Sequence, residues 1–149
     1  MIHIKVDCIK RMMNRGEQGS SVVQFALISV LFFTLVFGII EFGILMFDNH
    51  ILTNASREGA RAGIIMKIPR VTDAEIEAIV NQFAEDNMVG FDPASTLTTT
   101  VTPDEASRTG VLFGVELEVT VTYPYKFLFL SGLGLGPINL TAETRMRME

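Results

Sequence analysis

The longest apolar run in the chain lies near its N-terminus, from Val22 to Ile40, and it contains no charged residue. As an α-helix, this run would rise about 28 Å, close to the roughly 30 Å hydrocarbon core of a bilayer. A secretory signal peptide has a shorter apolar core, with a small-residue cleavage site behind it. The run therefore predicts a transmembrane helix, in preference to a secretory leader or a buried core helix.

Beyond this run the pattern becomes a helical stripe of small and apolar residues. Its members recur at intervals of seven, three, four, three and four positions: Leu45, Leu52, Ala55, Gly59, Ala62 and Met66. No proline occurs between Val22 and Ile68, so the pattern predicts that one helix continues to about Ile68 and ends at Pro69. Such a stripe either packs on its own domain or contacts another subunit, and the first is the usual case for an amphipathic helix.

The rest of the chain predicts a short helix followed by three strands. The helix is indicated by apolar residues at helical spacing after a capping Thr72 or Asp73, namely Ile76, Ile79, Val80 and Phe83. Alternating apolar and polar residues predict strands at 97–101, at 115–123 and from 138 nearly to the C-terminus. The polar segment 103–110 predicts antiparallel pairing of the first two strands. An apolar loop, 128–136, precedes the third strand, and its side chains are available to touch a neighbour.

These elements predict an α+β fold in which a long N-terminal helix, its first half transmembrane, packs on a small antiparallel sheet. We divide the chain of 149 residues into a basic leader (1–19), a transmembrane helix (20–41), a helical continuation (42–68) and a small α+β domain (69–149). Glu41 is expected at the far membrane interface, directly after the apolar run.

Charge suggests how the chain is oriented. The leader carries four basic and two acidic residues, a balance of +2, whereas the whole chain carries −5 and residues 20–149 therefore −7. Basic flanks stay cytoplasmic, which places the C-terminal domain outside the membrane. An acidic body without a basic patch argues against nucleic-acid binding.

Catalytic and metal-binding patterns are not found. Cys8 is the only cysteine, and the two histidines, His3 and His50, lack metal-ligand spacing. Glu116 and Glu118 share the polar face of a strand, where solvation explains them better than acid–base chemistry. We therefore expect no catalytic, cofactor-binding or metal-binding residues, and a protein that is not an enzyme.

One charged stretch of the long helix permits two interpretations. Arg57 and Arg61 are one turn apart, Glu58 is three residues before Arg61, and Asp48 precedes them. They form either a solvated face with an ion pair of about 0.2–0.5 kcal/mol or a charged contact to a partner subunit. The pattern alone does not choose between them.

Three blocks of residues resemble TadE-like proteins, the pseudopilin-like components of the tight-adherence pilus assembly system. The first is "GSSVVQFALIS" from Gly19 with its apolar run, the second is "IEFG" followed by "NASREGAR", and the third is the closing "LTAETRMRME". The resemblance is strong over Gly19–Ile64 and Leu140–Glu149. It departs at Gln24, where the family usually has a glutamate five residues after the glycine.

This resemblance implies a function in assembly. It predicts a pilin-like fold and a membrane-anchored minor pilin-like subunit, single-pass in a bacterial inner membrane. The implied partners are other pilin-like subunits, pilus assembly proteins of a secretion system and a prepilin-type peptidase. The implied subunit-contact candidates are Gln24, Glu41, Arg57, Glu58, Gly59 and Arg61.

The resemblance also implies a leader cut between Gly19 and Ser20, which would remove the basic leader and keep the anchor. Gly16 is a second candidate, but it puts Ser21 rather than Gln24 at the fifth position. The alternative is a single-span accessory or sensor domain with no cleavage.

Overall fold

The computed structural model describes residues 2–65, 69–89, 95–108 and 114–148. In chain order these form helix α1 (Ile2–Ile64), helix α2 (Asp73–Asn87), strand β1 (Thr98–Thr102), helix α3 (Glu105–Arg108), strand β2 (Glu116–Tyr125) and strand β3 (Ile138–Arg147). The predicted α+β class is confirmed. The expected helical stretch 66–68, with Met66 of the small-residue stripe, lies outside the described residues.

The chain divides into two compact units, Met1–Ile39 and Ile40–Glu149. In the first unit, α1 is long and apolar enough to cross a membrane, and the side chains of its apolar run are exposed. Its hydroxyl groups are satisfied inside the helix: Ser29 Oγ donates to the carbonyl of Ala26 at 2.9 Å, and Thr34 Oγ1 donates to that of Val30 at 2.8 Å. The surface of the apolar run, 22–40, is therefore compatible with lipid.

The second unit contains a three-stranded antiparallel sheet in the order β1-β2-β3. Val101 lies opposite Val119, and Val121 lies opposite Ala142. The predicted alternation along β2 is confirmed, because its apolar side chains are buried on one face: Leu117, Val119, Val121, Tyr123 and Tyr125. Two connections hold more structure than expected, since α3 lies in the polar segment and a 3₁₀ turn, Leu130–Leu133, lies in the apolar loop.

The buried face of the sheet is covered by α2 as well as by α1. Gly59 of α1 lies against Ile76 and Val80 of α2 and Val119 of β2. Thr72 caps α2, because its hydroxyl accepts from the amide of Glu75 at 3.2 Å while the Glu75 carboxylate accepts from the amide of Thr72 at 2.9 Å. The core is thus a sheet under two helices.

Candidate functional site

Glu41 does not face solvent in the described structure: its side chain is fully buried. The carboxylate accepts hydrogen bonds from Tyr125 Oη at 3.0 Å and from the amides of Leu128 and Phe129, both at 2.7 Å. Three charge-assisted bonds compensate a carboxylate for the loss of water. The position of Glu41 at the far membrane interface stays a prediction, and within its own domain the carboxylate is buried and holds the loop that follows β2.

This arrangement also changes the acidity of Tyr125. Burial, followed by the hydrogen bond to Glu41 and the negative charge of Glu41, raises the pKa of the Tyr125 hydroxyl well above its ordinary value. The tyrosine therefore stays protonated and remains a donor. Its ring also meets Phe127 edge to face, with centroids 5.7 Å apart, which connects the end of β2 to the loop.

The described part of the small-residue stripe of α1 is largely buried within its own domain, with Ala62 half-buried. Leu52 and Ala55 are fully buried, and Ser56 Oγ lies 2.6 Å from Thr144 Oγ1 of β3. A Cβ on Gly59 would lie 2.6 Å from Val80 Cγ2, so only glycine permits this approach. Gly59, a subunit-contact candidate on the resemblance, therefore contacts α2 and the sheet of its own chain.

The charged side chains of the same stretch separate into two groups. Arg57, Glu58 and Arg61 are exposed, and the nearest atoms of Arg61 and Glu58 are 4.0 Å apart. An exposed pair at that distance contributes little to stability. Asp48 instead is buried and accepts from the amide of Val89 at 3.0 Å, so it does not belong to the exposed charged face.

The N-terminal candidates lie on an open helical surface. Gly19, Ser20 and Gln24 are all exposed, and no atom outside the local helix lies within 4 Å of where a Gly19 Cβ would be. Gln24 Nε2 makes a long contact of 3.5 Å with Ser20 Oγ one turn earlier. The structure thus brings Gln24 and Ser20 together, whereas Glu41, Gly59 and the exposed arginines belong to the second unit.

Sequence reasoning missed one buried ion pair. Arg108 is only 3 % exposed, and its guanidinium donates to the carboxylate of Asp73 at the start of α2. Asp73 Oδ2 also accepts from the amide of Glu105 at 3.1 Å. Alternation and spacing give no signal for this pair, because the sequence explains Asp73 equally well as a helix cap. Its contacts join the start of α2 to α3.

Within the described ranges, no group of three or more histidine, cysteine, aspartate or glutamate side chains is arranged to hold a metal ion. Two surfaces of the second unit are notable, the exposed charges of α1 and the apolar loop clasped by Glu41.

Comparison with known protein families gives a match in the N-terminal part of the chain. Residues 19–61 match the family described as TadE-like protein. The resemblance over its first two blocks is thereby confirmed, while the closing block, 140–149, lies beyond the matched range. No curated protein and no solved structure matches the chain.

The TadE-like segment, residues 19–61, has two structurally different parts. Up to Ile40 its large apolar side chains are mostly exposed, and from Glu41 onward small residues such as Ala55 and Gly59 are buried in the domain. The family match and the helix of membrane-spanning length thus overlap in the same part of the chain.

Proposed function

We propose that the chain is a membrane-anchored minor pilin-like subunit that acts by protein–protein contacts rather than by catalysis. The observation that carries this proposal is the TadE-like match over residues 19–61. It covers, in one helix, an exposed apolar run and the face on which the sheet domain is built. Such a helix joins a membrane anchor directly to a folded domain.

The proposed orientation follows from charge. The basic leader lies in the cytoplasm and the sheet domain lies outside the inner membrane, where it meets other pilin-like subunits. A reporter enzyme that is active only outside the cytoplasm, fused after Glu149, should be active. An inactive reporter on a stable fusion would reverse the orientation and remove the sheet domain from the compartment where a filament assembles.

Processing by a prepilin-type peptidase between Gly19 and Ser20 is part of the proposal. The site is exposed, and glycine lets an extended backbone come close to a protease. Since α1 includes Gly19, the peptidase would bind it after local unwinding of the helix. The cut would remove the basic leader and leave the apolar run as the anchor.

Coexpression with the peptidase, followed by N-terminal sequencing of the membrane-extracted chain, tests this step. The expected sequence starts at Ser20. Gly19→Val should leave the full-length chain, while the matched variant Gly16→Ala should still be cut. An intact Met1 in the unaltered protein would contradict processing and leave the uncleaved single-span accessory or sensor domain.

Gln24 bears on assembly rather than on cutting. Its amide is neutral and contacts its own Ser20, whereas the usual glutamate would offer a charge to the new amine of a neighbouring subunit. Gln24→Glu should not affect cutting. It should increase copurification with other pilin-like subunits if the missing charge weakens assembly, and no increase would assign subunit contact to other residues.

A further inference from the structure

The exposed surface of α1 stays apolar beyond Glu41. Phe42, Met46 and Phe47 are 62 %, 40 % and 46 % exposed, while Glu41 itself is fully buried and so is Asp48. From Glu41 to Phe47 the helix rises about 9 Å. This is comparable to the headgroup layer of roughly 5–8 Å on each side of a bilayer. The apolar surface thus extends about one headgroup layer past the uncharged run.

The loop held by Glu41 presents a second apolar surface beside this part of the helix. Leu128, Phe129 and Leu135 are 57 %, 47 % and 49 % exposed, and Ile138 at the start of β3 is 39 % exposed. The bonds from the amides of Leu128 and Phe129 to the Glu41 carboxylate fix the loop at the level of that residue. Large apolar side chains exposed along one short segment are typical of surfaces that contact a membrane or a protein partner.

We propose that this loop, residues 126–138, docks into the headgroup layer of the membrane that α1 enters. The inference goes beyond the proposed function but rests on its membrane anchor. Glu41 directly follows the apolar run, so a loop bonded to Glu41 lies where lipid begins. The loop contains no acidic residue that would oppose its approach to anionic headgroups.

The same arrangement explains how a carboxylate is tolerated next to the membrane. A glutamate at this depth would be costly if it faced lipid. Here Tyr125 and two loop amides satisfy it, and the loop turns its own apolar side chains outward. The loop therefore covers a charge and extends the lipid-facing surface at once, which favours lipid over a water-exposed partner site.

The test uses single cysteines in the full chain with Cys8→Ser, the only native cysteine being removed. Leu128→Cys and Leu135→Cys report the loop, Val30→Cys reports the anchor, and Thr100→Cys is the control. Thr100 is exposed and pairs with Thr120, five residues or about 17 Å along β2 from Tyr125. Each carries an environment-sensitive fluorophore in liposomes that contain anionic phospholipid.

Spin-labelled lipids should quench the fluorescence of the labels at positions 128, 135 and 30. They should leave the fluorescence of the label at position 100 unchanged. Aqueous iodide should show the reverse order. If iodide quenches both loop labels as strongly as the control while lipid quenches only position 30, the anchor stands and the docking is refuted. If neither quencher reaches the loop labels, another protein subunit covers the loop, which also refutes docking. If lipid does not quench position 30, the anchor itself fails and the inference fails with it.

Discussion

Helix α1 differs on the two sides of Ile40 in the size and the burial of its apolar side chains. Before it, large apolar side chains such as Phe25 and Leu31, 73 % and 71 % exposed, point outward. After it, small side chains such as Ala55 and Gly59 are buried against the sheet and α2. The first part is suited to lipid, because large side chains offer more apolar area. The second part is suited to protein, because small residues allow another backbone to approach closely. A helical stripe therefore identifies its neighbour by residue size as well as by spacing.

A substitution in the buried contact between α1 and the sheet should have the largest effect on stability. Val119 is fully buried beneath α1, and Val119→Asp would bury a carboxylate without a partner. We expect a loss of about 4–5 kcal/mol in the free energy of unfolding, enough to unfold the domain. Thermal melting of the detergent-solubilised chain measures it.

The control for this variant is Thr122→Asp on the other face of β2. Thr122 lies opposite Thr98 and Thr141, so the new carboxylate meets no like charge across the sheet. It should shift the melting temperature only slightly. Equal destabilisation by both variants would contradict the assignment of the two faces.

Two glycines of the TadE-like segment should respond in opposite directions. A Cβ at Gly59 would press on Val80 Cγ2 and lie 3.3 Å from Ile76 Cγ2, whereas one at Gly43 would meet nothing within 4 Å. Gly59→Ala should cost about 1–3 kcal/mol of stability through overpacking. Gly43→Ala should instead add about 0.5–1 kcal/mol, because alanine loses less backbone entropy in a helix.

Chemical denaturation of the two variants, side by side, measures the two changes in the free energy of unfolding. Gly59→Ala without any loss would mean that α1 and α2 separate readily, and the stripe would then be available to another subunit. Gly43→Ala acts as the matched control, since it makes the same chemical change on an exposed face of the same helix.

Local patterns predicted the elements well because their causes are local. The alternation along β2 follows from the two-residue period of a strand with one buried face, and Thr72 caps α2 through a residue three positions away. The stripe of α1 likewise follows from helical spacing. Each of these needs information from no more than a few turns of chain.

The long-range contacts could not be predicted in the same way. Glu41 meets Tyr125, 84 positions later, and Asp48 meets the amide of Val89, 41 positions later. A carboxylate beside an apolar run is typical of a membrane interface, and the local pattern gives no signal for the partners that bury it. Only the fold, which brings the loop after β2 onto α1, provides the donors that make burial of Glu41 possible.

Removing one of the hydrogen bonds to the buried Glu41 carboxylate should have a moderate effect on stability. Tyr125→Phe removes the bond from Tyr125 Oη to the Glu41 carboxylate and should lower stability by about 1–3 kcal/mol, since the acceptor is charged and buried. Thermal melting near neutral pH measures the loss. Unchanged stability would mean that the two amides of the loop alone satisfy the carboxylate.

The same residue predicts a dependence on alkaline pH. The pKa of Tyr125 is raised in the folded state above its ordinary value of about 10, so its contribution is complete below that pH. As pH rises further, the unfolded chain loses this proton while the folded chain keeps it, and stability falls. Tyr125→Phe should therefore lose less stability between about pH 10 and pH 12 than the unaltered chain does.

The smallest effect on stability is expected on the exposed charged face of α1, and it separates folding from binding. Arg57 and Arg61 are exposed, and Arg61 forms only a long surface ion pair with Glu58, 4.0 Å across. Replacing both arginines by alanine should change the free energy of unfolding by about 0.5 kcal/mol or less. If this face contacts a pilin-like subunit, the same double variant should lose cross-linking to that subunit in membranes.

A matched control removes two exposed charges from α2, Glu85 and Asp86. That variant should also fold normally and should keep its cross-links. Loss of cross-linking by both double variants would indicate a general effect of charge, and retention by both would make Arg57 and Arg61 a solvated face. Subunit contact would then belong to the part of α1 before Ile40, where the large side chains point outward. Loss in the arginine variant alone assigns a different partner to each face of α1 after Ile40, the sheet to the small residues and another subunit to the charges.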